Sequence, residues 1–263
     1  MNAAALPVVI LLTVLGVVKT DSPTGVAYHA FGGRTLKIDL AVEVPGGVPV
    51  DIRADLFQKG ESLLAPLQKD ILVAQAVRSD GQPSGRTLVA WELAVPEVKR
   101  ETKMLVRLKS KAASGEWGSV GQFLVTAYPT GFADESLAGL SKDRPIHVFG
   151  ENKNLREFLK TKKVSFDDEL ETLSSLPVDP DAKAIYIGEA TAADLSAWLA
   201  AHSGWRGNLV VFCLDATSMP GVFVTARGGL RAAKVTLPLL NSLSDDPLSQ
   251  KTFVEILNTI TAP

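Results

Sequence analysis

The feature that most limits what this chain can become is a change of period. From Arg34 to Tyr128 apolar residues recur at every second position, whereas after Pro145 short apolar runs alternate with stretches spaced for helix. Period two buries one face of a strand and period 3.6 buries one stripe of a helix. A chain that carries the two patterns in separate blocks is predicted to form two domains. Its 263 residues are enough for two ordinary cores without disulfide or metal support.

In the first block, Leu36, Ile38, Leu40 and Val42 alternate with Thr35, Lys37, Asp39 and Ala41, and Val50, Ile52, Ala54 and Leu56 alternate with Asp51, Arg53 and Asp55. Pro45-Gly46-Gly47 between them is a turn signal, so the two strands are predicted to form a hairpin. Further strands are expected at Val89, Trp91 and Leu93, at Met104, Val106 and Leu108, and at Phe123, Val125 and Ala127. Ser62 to Ala76 reads as one or two strands, because Pro66 argues against a helix interior. Six or seven short strands at this spacing predict an antiparallel β-sandwich over residues 26–129, similar to the immunoglobulin or fibronectin type III domains. Residues 130–144 read as the linker, with room for a short helix near Glu135 to Leu140.

The second block, 145–263, reads as strand, helix, strand, helix, strand. Ile146 to Phe149 is an apolar run ending at Gly150, and Leu155, Phe158 and Leu159 follow at helical spacing. Ala184 to Ile187 is a second strand ending at Gly188-Glu189. Thr191, with Asp194 three residues on, opens a helix whose face is Leu195, Trp198, Leu199 and His202. Leu209 to Cys213 is apolar on both faces, as expected of a parallel strand covered on each side. Gly221 to Val224 and Lys234 to Leu237 can add two strands. Asp246-Pro247 opens a closing helix with Phe253, Ile256, Leu257 and Ile260 inward. The prediction is a small, open, mainly parallel α/β sheet of flavodoxin-like kind.

The runs Ile146-His147-Val148-Phe149-Gly150, Ala184-Ile185-Tyr186-Ile187-Gly188-Glu189-Ala190 and Leu209-Val210-Val211-Phe212-Cys213 resemble the class I glutamine amidotransferase-like fold over roughly residues 145–240. The resemblance is to its degenerate form, an accessory domain of large bacterial glycoside hydrolases such as the β-galactosidase trimerisation domain. Catalytic members place a cysteine inside Gly-x-Cys-x-Gly, with a histidine and a carboxylate downstream. Cys213 falls near that place, but Val211 and Asp215 stand where the glycines belong, and all the histidines, His29, His147 and His202, precede it. The resemblance therefore implies a domain without the triad, in which an unactivated thiol of pKa about 8.5 stays mostly protonated at neutral pH.

Other chemistry is sparse. A lone cysteine excludes an internal disulfide, and a formal charge of −2 gives no footprint for nucleic acid. No HExxH, CxxC or close His/Asp cluster points to a metal, and no cofactor is expected. Asp167-Asp168-Glu169 with Glu171 lacks the spacing of a calcium loop and reads as a solvated helix start. Glu151, Glu189 and Asp215 each follow a predicted parallel strand, where open α/β sheets bind ligands, so with Cys213 they form the candidate cleft. Solvated loop carboxylates are the plainer reading. Trp117 can stack on a sugar ring or pack at a sheet corner, and Trp91, in phase with Val89 and Leu93, belongs to the core.

Residues 3–18 carry no charged side chain and include Val8-Val9-Ile10-Leu11-Leu12, so residues 1–21 read as a signal peptide or anchor. No Lys or Arg precedes the run, and a buried first strand or helix is the competing reading. Together these features predict an exported, non-catalytic accessory or interaction protein, linked to polysaccharide processing and binding carbohydrate or another protein. The alternatives are a hydrolase using carboxylates at the sheet tip and a structural subunit for oligomerisation.

Overall fold

A computed structural model describes residues 27–45, 49–77, 84–112, 115–213 and 220–262, with backbone only at 43–45 and 84–86. The chain is mixed α/β, richer in strand than in helix, with several sheets of which one is largely parallel. It divides into two compact units, 1–130 and 131–263.

The first unit is built from strands β1 (Ala27–Phe31), β2 (Thr35–Pro45), β3 (Val50–Lys59), β4 (Leu64–Val77), β5 (Ser84–Ala94), β6 (Thr102–Ala112) and β7 (Gly118–Tyr128). They form a five-stranded sheet, β1-β7-β6-β3-β4, and a two-stranded ladder, β2-β5. Both contribute to one core: Ile38, Leu40, Trp91 and Leu93 from the ladder meet Ile52, Leu56, Val106 and Val125 from the sheet. Alternation creates this arrangement, because β3 is buried at Val50, Ile52, Ala54 and Leu56 and half-open at the residues between.

Two expectations change here, while the reading of Ser62 to Ala76 as one or two strands holds. β2 pairs antiparallel with β5, and β3 pairs with β4 and β6, so no β2–β3 hairpin forms. Pro45 lies at the end of β2, and the chain moves to the other sheet instead of turning back on itself. The segment from Ser62 becomes one 14-residue edge strand, β4, with four register shifts against β3. β1, for which no strand was predicted, pairs parallel with β7.

The second unit contains α1 (Phe132–Asp143), β8 (Ile146–Phe149), α2 (Lys153–Thr161), β9 (Asp167–Leu170), β10 (Ile185–Ala190), α3 (Ala192–Ala201), β11 (Gly207–Cys213), β12 (Val222–Arg227), β13 (Leu230–Val235) and α4 (Pro247–Thr261). The sheet order is β12-β13-β11-β10-β8-β9, parallel except for β12. Strand β11 is buried throughout, and its residues alternate between two cores. Val210 and Phe212 join α2 and α4 through Phe158 and Phe253, while Leu209, Val211 and Cys213 join α3 through Leu195 and Trp198. Burying one such side chain contributes about 1.5–3 kcal/mol, which is why both faces of this strand are apolar.

The expected linker is largely helix. Residues 132–143 form α1, whose Ala133 and Leu137 are fully buried in the second unit's core. The acidic run at Asp167 is a strand and not a helix start: β9 pairs parallel with β8, placing Asp167 Oδ2 3.3 Å from His147 Nδ1. The expected caps form at Thr191, which accepts from Asp194 N at 3.0 Å, and at Asp246, which accepts from Leu248 and Ser249 N.

Candidate functional site

The carboxyl ends of β8, β10, β11 and β13 come together along one edge of the parallel sheet. At the first two, glycines permit a close approach. A Cβ on Gly188 would lie 2.3 Å from Phe149 O, and Gly150 has φ +79 with its N–H donating to Glu171 O at 3.1 Å. Immediately beyond, Asn152 caps α2 by accepting from Leu155 N at 2.7 Å, and its amide nitrogen donates to Glu189 Oε1. One asparagine thus ties the start of α2 to the end of β10.

Glu189 is half-buried and engaged, whereas Glu151 is exposed. Cys213, directly after Phe212 at the end of β11, is 6% exposed. It borders a cleft of about 190 Å³ with Phe212, Thr236, Leu237, Leu240 and Asn241. Thr236 Oγ1 accepts from Gly221 N at 2.8 Å and so pins the chain entering β12. Asp215 lies outside the described residues. Glu189 and Cys213 stand at the ends of neighbouring strands, with Ala190 in register with Cys213.

Neither histidine of the second unit serves this edge. His147 is stacked on Tyr186 with ring centroids 4.9 Å apart and faces Asp167. His202 ends α3, stacked on Trp198 at 4.6 Å with Nδ1 2.9 Å from Trp198 O. His29 belongs to the first unit, beside Tyr128. The tip can hold a ligand by amide, carboxylate and apolar contacts. Among the described residues no group of three or more His, Cys, Asp or Glu is placed to hold a metal ion. No helix among the described residues is long and apolar enough to cross a membrane.

The second candidate, Trp117, lies immediately before β7 and is 39% exposed. Arg53 Cζ and Lys109 Nζ lie 5.3 and 5.8 Å from its ring centroid. Lys109 also bonds Asp55 at 3.0 Å and Asp70 at 2.6 Å. The Asp70 hydrogen bond leads in raising the Lys109 pKa, and the same bond leads in lowering that of Asp70. Trp91, at 4% exposure, is core. The Arg53–Lys109–Asp55 ladder did not figure among the sequence candidates. Its signal is the out-of-phase half of the alternation in β3, where Asp51, Arg53 and Asp55 occupy one face of the strand.

No family profile matches the chain, and no curated protein matches it. Solved structures give distant similarities. The Niemann-Pick type C2 protein from Japanese carpenter ant has a TM-score of 0.28 at 10% identity, over 48% of this chain and 98% of that one. A sialyltransferase from Photobacterium damsela has 0.20 at 8%, over 72% and 30%. A family 123 glycoside hydrolase from Clostridium perfringens has 0.25 at 9%, over 90% and 41%. At these scores none of them bears on the fold or the activity of this chain.

Proposed function

We propose that the protein is a non-catalytic, extracytoplasmic accessory or interaction protein linked to polysaccharide processing, with an immunoglobulin-like sandwich followed by a flavodoxin-like domain of the degenerate amidotransferase kind. Strand order supports the architecture. The β2-β5 ladder facing β7-β6-β3-β4 matches the B–E and G–F–C–C′ strands of a seven-stranded variant of that sandwich. The parallel strands β9-β8-β10-β11-β13 follow the order 2-1-3-4-5. Export rests on the uncharged apolar stretch at residues 3–18.

One observation carries the non-catalytic part: Glu189, the carboxylate at the end of β10, has a structural duty at the sheet tip. Glu189 is bonded to the cap of α2, and each imidazole is stacked or paired elsewhere. Cys213 is buried among apolar side chains, and a thiol in such surroundings is a poor nucleophile. Two assays test this. Ammonia release from glutamine and cleavage of nitrophenyl glycosides should stay at the buffer rate, and iodoacetamide should alkylate native Cys213 only as fast as the protein opens. Turnover that is lost in Cys213→Ser or Glu189→Gln would defeat the proposal.

A further inference from the structure

We propose that the free edge of β12 binds an extended, acidic peptide segment of a partner protein as an added antiparallel or parallel strand. This rests on the interaction-protein reading and names its surface. The hairpin β12–β13 closes on Gly228-Gly229, both at positive φ (+60 and +97), as a two-residue turn requires. In such a hairpin the closing pair, Arg227 and Leu230, is hydrogen-bonded, and bonded pairs then alternate: Thr225 with Ala232, and Phe223 with Lys234. The Thr236 N–H on Gly221 O, at 2.9 Å, continues that phase. The amides and carbonyls of Val222, Val224 and Ala226 therefore point away from β13, and among the described residues no strand pairs with them.

Two other edges of this molecule are blunted. β4 is bulged, and β9, the opposite edge of the same sheet, has three acidic residues in four positions and a register shift. β12 has no Pro and no register shift, and its first charge is Arg227 at its very end. Phe223 and Val224 are each 48% exposed. A regular apolar edge of this kind is a template for strand addition.

Charge identifies the occupant. Arg227 ends β12, Arg231 stands opposite the small Ala226, and Arg206 packs beside the turn, where a Cβ on Gly229 would lie 3.2 Å from its Cγ. Among the described residues none of the three arginines has an ion-pair partner. Three unpaired guanidiniums at one end of an apolar strand edge favour carboxylates on the incoming chain. A second copy pairing through its own β12 would bring the same arginines, and that strand carries no acid.

The test uses the full chain and two fluorescent ten-residue peptides, one alternating valine with glutamate and one alternating valine with lysine, read by anisotropy. The glutamate peptide should bind saturably and more weakly as salt rises, and the lysine peptide at least tenfold more weakly. Val224→Pro removes an outward N–H without touching the ladder and should weaken binding at least tenfold, as should Arg227→Glu with Arg231→Glu, which keeps the proposal open to refutation if the proline variant misfolds. Equal binding by wild type and both variants, or no saturable binding of the glutamate peptide, overturns the edge while leaving the sheet-tip assays to judge the broader reading. Light scattering that shows a concentration-dependent dimer abolished by Val224→Pro would make the occupant a second copy and overturn the acidic-peptide assignment.

Discussion

The two units guard their sheet edges by opposite means. In the first, β4 shifts register against β3 four times, and Asp70 and Ala76 within it adopt positive φ (+56 and +49). Such kinks leave amides that the ladder cannot use, and the neighbouring strand collects them: Asp55 accepts from Asp70 N at 2.8 Å and Asp51 from Ala76 N at 2.9 Å. The second unit distorts little. Its sheet is packed on both faces, one edge carries acidic residues, and the other, β12, stays regular. Where an edge is bent, its spare polar groups have to be answered by side chains; where packed helices and acidic residues protect the sheet, an unmodified edge remains usable for a partner.

The largest effect should come from the packed faces. Phe253 is fully buried in α4, with its ring 5.8 Å from that of Phe158 and 6.3 Å from that of Phe212. Phe253→Ala should cost about 3–5 kcal/mol, read from urea unfolding followed by hydrogen exchange of β11 amides. A loss under about 1 kcal/mol would mean that the helical cover on this face of the sheet adds little. Next comes the fastened edge: Asp55→Ala removes the acceptor for Asp70 N and a partner of Lys109, at a cost of about 1–3 kcal/mol. Faster exchange of the Asp70 amide is the specific readout, and unchanged protection there would break the claim that the kink is held from β3. Asp246→Ala, which deletes the cap of α4, should cost about 1 kcal/mol, with exchange rising at Leu248 and Ser249.

The second unit was the more legible in sequence, because its signals are local. Asp246-Pro247, Thr191 with Asp194, and the run Leu209 to Cys213 each declare an element within a few residues. In the first unit the alternation of Val50 to Leu56 identified a strand and its buried face, but not its neighbour. Pro45-Gly46-Gly47 suggests a hairpin equally well whether the chain turns back or moves to the other sheet, and the difference lies in contacts such as Ile38 with Trp91, far apart in sequence. At the sheet tip, Glu189 and Cys213 could be placed because they follow apolar strands. The Asn152 link could not, since a cap residue gives no sign of a second partner 37 positions away.

The smallest effect separates the units by pH. In the first, the hydrogen bond from Lys109 holds the Asp70 carboxyl below the usual carboxylate range. A depressed folded pKa gives stability that is present above the unfolded value of about 3.9 and is lost as pH falls through the folded value. The same bond raises Lys109, so that contribution is complete below about 10.4 and is lost as pH rises through the folded pKa above it. In the second unit, burial, with Asp181 adding to it, raises Tyr186, whose contribution is lost only on the alkaline side, above about 10. Asp70 is largely exposed, so solvent screens the pair and the change is modest. Asp70→Asn should therefore be less stable than wild type at pH 6, with the gap closing as pH falls below about 4 and first-unit amides reporting it in exchange experiments. A gap that stays constant down to pH 2 would mean that Asp70 acts through the shape of its bulge and not through its charge.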